Sequence, residues 1–495
     1  MRRRRFLLNT VASLGAKLVT ILCAFVLPRL ILKEYGSEVN GLVSSINQFL
    51  LVISLSEFGI TAVVQSALYK PLAEGNQEEI SKILSSSTKF FRRIAYLLIG
   101  YVLILSIIYP LMINNTFGFA YVASLIFAMS ISSLVQYLFG ITNSQLISAD
   151  QRSYILDVTG IVTNLTNTIL CCILVYCHAS IQTVKLISAL TYTIQPLVYT
   201  IYVRKHYSIN LKIKYTEEPI AQKWNGVAQH IAYYVLNATD IMVLTMFSTL
   251  ENVSIYYVYH LVLNGLNQLF SIFENAAKSF LGEAYAINER ERLNYYFSVY
   301  EWMMHELVTV VFGCTLVLFV PFVRVYTKGV DDANYIVPVF AAVITLAYAV
   351  KNYRNPYNVM IMSAGRYKST QFNYISSAAI NVAVSIISVI RFGLVGVAVG
   401  TLVAMLYQTM WQAWYVRTKI IGESMKKTIQ LFIVDIIMLV LGIVLTKGFD
   451  LSDITYLAWG WMALKVGVTW FALAVIVNIF VYRNMIFETT RILHR

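Results

Sequence analysis

Residues 14–38, LGAKLVTILCAFVLPRLILKEYGSE, have the length and oiliness of a membrane-crossing helix, yet they hold Lys17 and Arg29, with Pro28 beside the arginine. A bilayer has a hydrocarbon core about 30 Å thick, which about 20 mostly apolar helical residues can cross. A cation in the middle of such a segment costs about 2.5–3.5 kcal/mol on insertion scales, so intramembrane ions generally face a wet cavity or a partner. The stretch therefore predicts a fold that encloses something polar inside the membrane.

The rest of the chain agrees. Of 495 residues, 58% are hydrophobic and 13% are charged. Soluble domains hold about 45–50% apolar and about 25% charged residues, so a soluble chain of this kind would expose large oily patches. The net charge of +13 would suggest nucleic acid in a soluble protein. In a membrane protein the Lys and Arg of inner loops account for it, and no nucleic-acid partner is expected. The five cysteines lie in oily runs and read as small buried hydrophobes without disulfide or metal-ligand spacing. MMHELVTV around His305 matches no metal motif and reads as a chance fragment. The opening MRRRRFLLNT lacks a cleavage site and is taken as the start of a retained first span.

Apolar segments near 9–32, 40–68, 94–113, 119–147, 154–177, 182–203, 224–248, 253–277, 299–325, 335–362, 369–390, 393–416, 428–446 and 454–481 predict fourteen crossings. With both ends inside, 27 of the 38 Lys and Arg fall in inner stretches, four in outer loops and seven within spans. That asymmetry supports the orientation. The outer loops are short, as in CHASIQ at 177–182, and leave no room for an extracytoplasmic catalytic domain.

Four fragments recur at nearly one spacing. NTVA (9–12) returns as NGVA (225–228), SLSE (54–57) as SIFE (271–274), LISADQR (146–152) as IMSAGRY (361–367), and IYP ending at Pro110 as FVP ending at Pro321. Spans 1–6 and 7–12 thus read as two copies entering the membrane from the same side. The expected architecture is an all-α polytopic membrane protein with two parallel six-helix lobes around a central cavity. The lobes are residues 1–205 and 223–417, joined by a cytoplasmic linker at 206–222. Two appended helices (428–482) and a cytoplasmic tail (483–495) follow.

The basic residues inside spans are Lys17, Arg29, Lys185, Arg324, Lys351, Arg354 and Lys465. Lys17 lies about 12 Å into the first span, counted from Asn9, where a cavity role competes with a pair to Glu57. Arg29 lies about 18 Å further and can instead snorkel outward. The densest site is AVKNYRNPYNVM in span ten, with Lys351 and Arg354 on one face, Tyr353 and Tyr357 beside them and Pro356 interrupting the helix. No acid follows Asp332 in that span, so the two cations call for an anion. Asp240, in YYVLNATDIMVLTMF, is an isolated carboxylate near the middle of span seven, the kind of group that binds a proton or a cation. Glu274 and Lys278 read as an ordinary helix pair. A cationic cavity with tyrosines fits a lipid-linked diphosphate sugar, which offers an anion, polar rings and an oily tail.

The opening RRRRFLLNTVASLGAKLVTILCAFVLPRLIL, SEFGI with Glu57, NATDIMVLTMFSTLENVSIYYVYHLVLNGL and SADQR resemble bacterial polysaccharide repeat-unit flippases of the Wzx type. That superfamily also holds lipid II flippases and MATE multidrug exporters. The resemblance implies export of undecaprenyl-diphosphate-linked oligosaccharide by alternating access in the bacterial cytoplasmic membrane. Lys17, Arg29, Arg324, Lys351 and Arg354, with Tyr353 and Tyr357, would line the cationic lumen. Coupling to sodium or protons would fall to Asp240, Asn381 and Thr401, with Glu57 in the first lobe. Where relatives carry a second acid on span eleven, this chain has Ser385. No cofactor is implied, a monomer is expected, and a polysaccharide polymerase is a candidate partner. The competing readings are an ion-coupled MATE-like antiporter, which would prefer an acidic lumen, and a membrane enzyme, which would need sizeable outer loops.

Overall fold

A computed structural model describes residues 2–57, 59–113, 117–213, 215, 218–220, 227–287 and 289–483, and the regular structure among them is all helical. Outside the described residues lie 225–226 of the NGVA repeat, 214, 216–217 and 221–222 of the expected linker, and 484–495 of the expected tail. Ten helical runs among the described residues are long and apolar enough to cross a membrane, which makes this a polytopic membrane protein. One of these runs, Leu8–Glu57, spans the first expected crossing and part of the second. The chain divides into two compact units, Met1–Tyr234 and Val235–Arg495.

The first unit contains α1 (Arg2–Leu51), a 3₁₀ segment (Val52–Glu57), α2 (Ile60–Glu74), α3 (Gln77–Met112) and α4 (Phe119–Val135). A π-helical turn (Gln136–Gly140) leads into α5 (Ile141–Ala149), followed by α6 (Ser153–Tyr176), α7 (Ile181–Tyr192) and α8 (Ile194–His206). Within α1 the backbone leaves helical geometry at Gly36 (φ 84°), not at Pro28. A positive φ of that kind costs glycine little. Helix α1 packs along α6 through polar pins. Asn9 donates to the Gln151 carbonyl (3.1 Å) and accepts from the Tyr154 amide (2.9 Å), and Asn164 donates to Thr20 (2.9 Å). Described parts of the expected linker are strapped to α3. Ser85 donates to the Leu211 carbonyl (2.9 Å), Ser86 donates to Glu218 (2.5 Å), and Lys89 lies over the Tyr215 ring.

Helix α9 (Val227–Phe247) runs into the second unit, which continues with α10 (Leu250–Ala286), α11 (Arg290–Tyr326), α12 (Pro338–Tyr353) and α13 (Asn355–Ser363). After these come α14 (Tyr367–Phe392), α15 (Leu394–Tyr415), a π-helical turn (Val416–Ile421), α16 (Lys426–Thr446) and α17 (Tyr456–Val481). Two features position the functional groups. Gly396 and Gly400, four apart on α15, press against Ser388 and Ser385 of α14 so closely that a Cβ at either would overlap. Small residues at this spacing let membrane helices approach at backbone distance. Gly313 of α11 and Gly442 of α16 likewise meet the ring of Trp470, which is fully buried. Helices α11, α16 and α17 thus pack together at this ring within the second unit.

Two helix ends near the recurring LISADQR and IMSAGRY fragments share a turn geometry. After α5 and after α13 the same three amide bonds recur. Asp150, Gln151 and Arg152 bond the carbonyls of Leu146, Ser148 and Ile147, and Ala364, Gly365 and Arg366 bond those of Met360, Met362 and Ile361. The left-handed residue is Gln151 (φ 57°) in one and Gly365 (φ 64°) in the other. A second left-handed pair, His178 (φ 53°) and Gly393 (φ 51°), precedes α7 and α15. The same three-bond turn also closes α6 at Cys177, His178 and Ala179, so it is a recurrent helix end. The SLSE and SIFE copies do differ, the first being 3₁₀ and the second α-helical.

Gly400→Val should force α14 and α15 apart. Overpacking of this kind costs about 1–3 kcal/mol, read as a lower melting temperature of the purified protein in detergent, whereas Gly467→Ala, with open space around it, should change little.

Candidate functional site

In the first unit, Lys17 lies on the α1–α6 seam, where Asp157 of α6 is its charge neighbour. Glu57, at the end of the 3₁₀ segment, accepts from the Tyr137 hydroxyl at 2.7 Å. Tyr137 sits in the π-helical turn, so two irregular segments meet at one carboxylate. Departures from α-helix inside a span free backbone groups and often mark functional positions. Arg29 is half-buried on α1, twelve residues beyond Lys17.

In the second unit, the structure brings Asp240, Asn381 and Thr401 together from α9, α14 and α15. Asp240 Oδ2 accepts from Tyr256 (2.7 Å) and from Thr401 (2.7 Å), and Asn381 donates to Thr401 (3.1 Å). The glycine contacts between α14 and α15 set this register, since Thr401 adjoins Gly400 and Asn381 lies one turn before Ser385. Ser385 is buried against Gly400. Asp240 Oδ1 and Asn381 Oδ1 are buried without a hydrogen-bond partner. Two orphaned oxygens beside a hydroxyl form a donor set suited to a hard cation or a proton. Tyr256 is a member of this group that the sequence reading did not single out.

The break between α12 and α13 falls at Arg354, with Pro356 inside the first turn of α13. Arg354 is 8% exposed. Its Nη1 bonds the Gln408 side-chain oxygen, and its Nε is buried without a partner. Among the described residues no carboxylate pairs with it. Lys351, one turn earlier, lies 5.1 Å from the Tyr348 ring centroid, with Arg354, Asp240 and Glu274 as its charge neighbours. The candidate anion site and the candidate ion site are thus within electrostatic reach of each other. Glu274 also pairs with Lys278 at 3.3 Å, as expected. Arg324 stands elsewhere, at a pocket of about 460 Å³ lined also by Pro321, Lys447, Asp450 and Met462; Lys351 and Arg354 are not among its walls.

Tyr353 and Tyr357 are buried in a polar network made by α11, α12, α13, α16 and the turn after α15. Tyr353 is 2.7 Å from Thr309, which donates to Asp435 (2.7 Å), and Asp435 faces His305 Nδ1 at 2.6 Å. Tyr357 lies 3.3 Å from His305 Nε2 and donates to Glu301 at 2.9 Å. Glu301 also pairs with Arg417 and accepts from Thr428 (2.8 Å). The sequence does not single out His305, Glu301, Asp435 or Arg417, and MMHELVTV around His305 reads there as a chance fragment. Span ten holds no acid after Asp332, and the acids of this network come from α11 and α16. The paired signal was an acid and a histidine one turn apart in an apolar helix, facing a lone Asp435 in another. Of the five cysteines expected to be buried, Cys171 is; Cys23, Cys172 and Cys314 are half-buried and Cys177 is exposed.

No family profile and no curated protein matches the chain. Among solved structures, the lipid II flippase MurJ in an inward closed conformation is similar with a TM-score of 0.74 at 15% identity, over 97% of this chain and 100% of that one. An inward-facing multidrug-resistance MATE transporter of the MOP superfamily gives 0.62 at 14% identity over 82% and 98%. A MOP-superfamily transporter from Pyrococcus furiosus, described by the reverse polarity of its binding pocket, gives 0.55 at 13% over 84% and 96%. The fold is that of the MOP/MATE-like polytopic membrane transporters.

Breaking one side of a buried ion pair costs about 3–5 kcal/mol, because the other charge is stranded. Glu301→Gln and Arg417→Met should each lower the melting temperature sharply, and the double variant should recover part of the loss in the same measurement.

Proposed function

We propose that this protein is a flippase. It carries undecaprenyl-diphosphate-linked oligosaccharide repeat units from the inner to the outer leaflet of a bacterial cytoplasmic membrane by alternating access, for surface polysaccharide assembly. The observation that carries this reading is Arg354, a buried guanidinium at a helix break with a neutral partner and a spare donor. A diphosphate would satisfy it with charge-assisted bonds, and Lys351 would add a second cation on the same face. Lys17 and Arg29 are the candidate cationic contacts of the first unit, and Arg324, at its own pocket, is not part of the Lys351 and Arg354 group. Similarity to a lipid II flippase over nearly the whole chain favours a lipid-linked cargo. In this reading the chain is a carrier and not an enzyme, crosses the membrane fourteen times with both ends inside, and works beside a polymerase.

The second reading is an ion-coupled antiporter of the MATE kind. The orphaned oxygens of Asp240 and Asn381 favour a coupling site for sodium or a proton, with Glu57 as a possible counterpart in the first unit. The two readings share machinery. A cation or proton at Asp240 alters the field at Lys351, and so the hold on an anion.

Loss of a hydrogen bond to a charged group costs about 1.5–3 kcal/mol, or about ten- to a hundredfold in binding. Arg354→Ala should therefore reduce flipping of a fluorescent undecaprenyl-diphosphate-linked sugar in proteoliposomes by about that factor, with Arg354→Lys intermediate. Unchanged flipping in the Arg354→Ala, Lys351→Ala double variant would refute the anion site. Drug resistance on overexpression without a polysaccharide defect would favour the antiporter.

A further inference from the structure

His305 is 1% exposed and has a partner on each ring nitrogen. The hydrogens around it can be counted. Arg417 pairs with Glu301, which is therefore a carboxylate and only accepts. Tyr357 gives its single phenolic hydrogen to Glu301, so its oxygen can only accept from His305 Nε2. On the other side Thr309 donates to Asp435 Oδ1, and Asp435 Oδ2 faces His305 Nδ1. A carboxylate there also requires a donor. With the phenol hydrogen on Glu301 both ring nitrogens carry hydrogen, as in an imidazolium; Glu301 also accepts from Thr428, so the phenol hydrogen is free to turn to Nε2 when His305 is neutral.

Removing one proton breaks the pattern at a definite place. With Nδ1–H kept on Asp435, the Nε2 lone pair faces the Tyr357 oxygen. Either the phenol turns its hydrogen from Glu301 to His305, or the contact is lost. Tyr357 belongs to α13 and Tyr353 to the last turn of α12, so both sides of the Arg354 break are tied to the same network. Buried networks of this kind are costly when one member goes unsatisfied.

We propose that His305 is a proton-binding site whose occupancy sets the packing of the α12–α13 break. The ionisable groups around it are Glu301 and Glu306 on α11, Tyr353 on α12, Tyr357 on α13, Asp435 on α16, Arg417 in the π-helical turn, and Tyr482 just beyond α17. The proton comes from water and returns to it. Tyr357 is linked through Glu301 and Arg417 to Glu423, whose side chain is 28% exposed and pairs with the exposed Lys427; the guanidinium keeps its hydrogens, so these groups set the field at the site and do not relay the proton. Asp435 lies about 13 Å along α16 from Lys426 by helix rise, so the site lies well into the span. This site is separate from the Asp240 carboxylate and does not depend on the identity of the cargo.

Hydrogen–deuterium exchange of the full-length protein in lipid nanodiscs tests it without any substrate. Across about pH 5 to 9, the range that brackets imidazole titration, and after correction for intrinsic exchange, peptides covering the α12–α13 break should show a sigmoidal change. The expected amplitude is about fivefold or more, an opening equilibrium shifted by one protonation. His305→Gln should flatten the curve. A flat wild-type curve or a wild-type sigmoid in His305→Gln would each overturn the proposal. If His305→Gln is not recovered folded, Asp435→Asn decides by the same criterion: a flattened or displaced curve supports the site, and an unchanged one overturns it.

Discussion

An ion in hydrocarbon has no water to hydrate it, and that deficit organises the charged interior of this protein. The usual remedy is a partner drawn from a neighbouring helix. Lys17 has Asp157, Glu57 has Tyr137, Arg417 has Glu301, and His305 has Asp435. Asp240 is held by a tyrosine and a threonine from two other helices. Against that background Arg354 stands out, because its partner is neutral and one of its donors is spare. A guanidinium kept in that state is poised for an anion that arrives and leaves.

The same places carry the departures from regular helix. A backbone break in a span frees amides and carbonyls that lipid cannot satisfy, so it persists only where protein or a polar cavity answers them. The first unit interrupts its helices at Val52–Glu57 and Gln136–Gly140, and the two interruptions share the Glu57–Tyr137 bond. The second unit interrupts one helix at Arg354, bracketed by Tyr353 and Tyr357. Rigid contacts hold the surroundings: Gly396 and Gly400 against α14, and Gly313 and Gly442 against Trp470. Mobile chemistry is thereby set in a stiff frame.

Much of this was legible in the chain itself. Hydropathy placed the helices, the repeated SADQR and SAGRY fragments marked turns with shared geometry, and Asp240, Asn381 and Thr401 do meet. The break near Pro356 also falls where the proline suggested. Other features were not legible, for physical reasons. In the first helix the backbone turns at Gly36 and runs helical through Pro28, since proline costs a helix one bond while glycine permits a conformation other residues avoid. Tyr353 and Tyr357 were assigned to a lumen from their neighbours in sequence. Their actual partners, Thr309, His305 and Glu301, are 44 or more positions away, and a search for counter-charges within a single span cannot find them. Arg324 shared only its sign with Lys351 and Arg354, and sign does not fix location.

The central claim is that the cations at the α12–α13 break receive a diphosphate. Photo-crosslinking tests it most directly, using undecaprenyl diphosphate with a diazirine next to the phosphates and the wild-type protein in nanodiscs. Adducts should map to peptides containing Lys351 and Arg354 and should be displaced by unlabelled undecaprenyl diphosphate. Adducts confined to the lipid-facing helix surfaces, undiminished by that competitor, would contradict it.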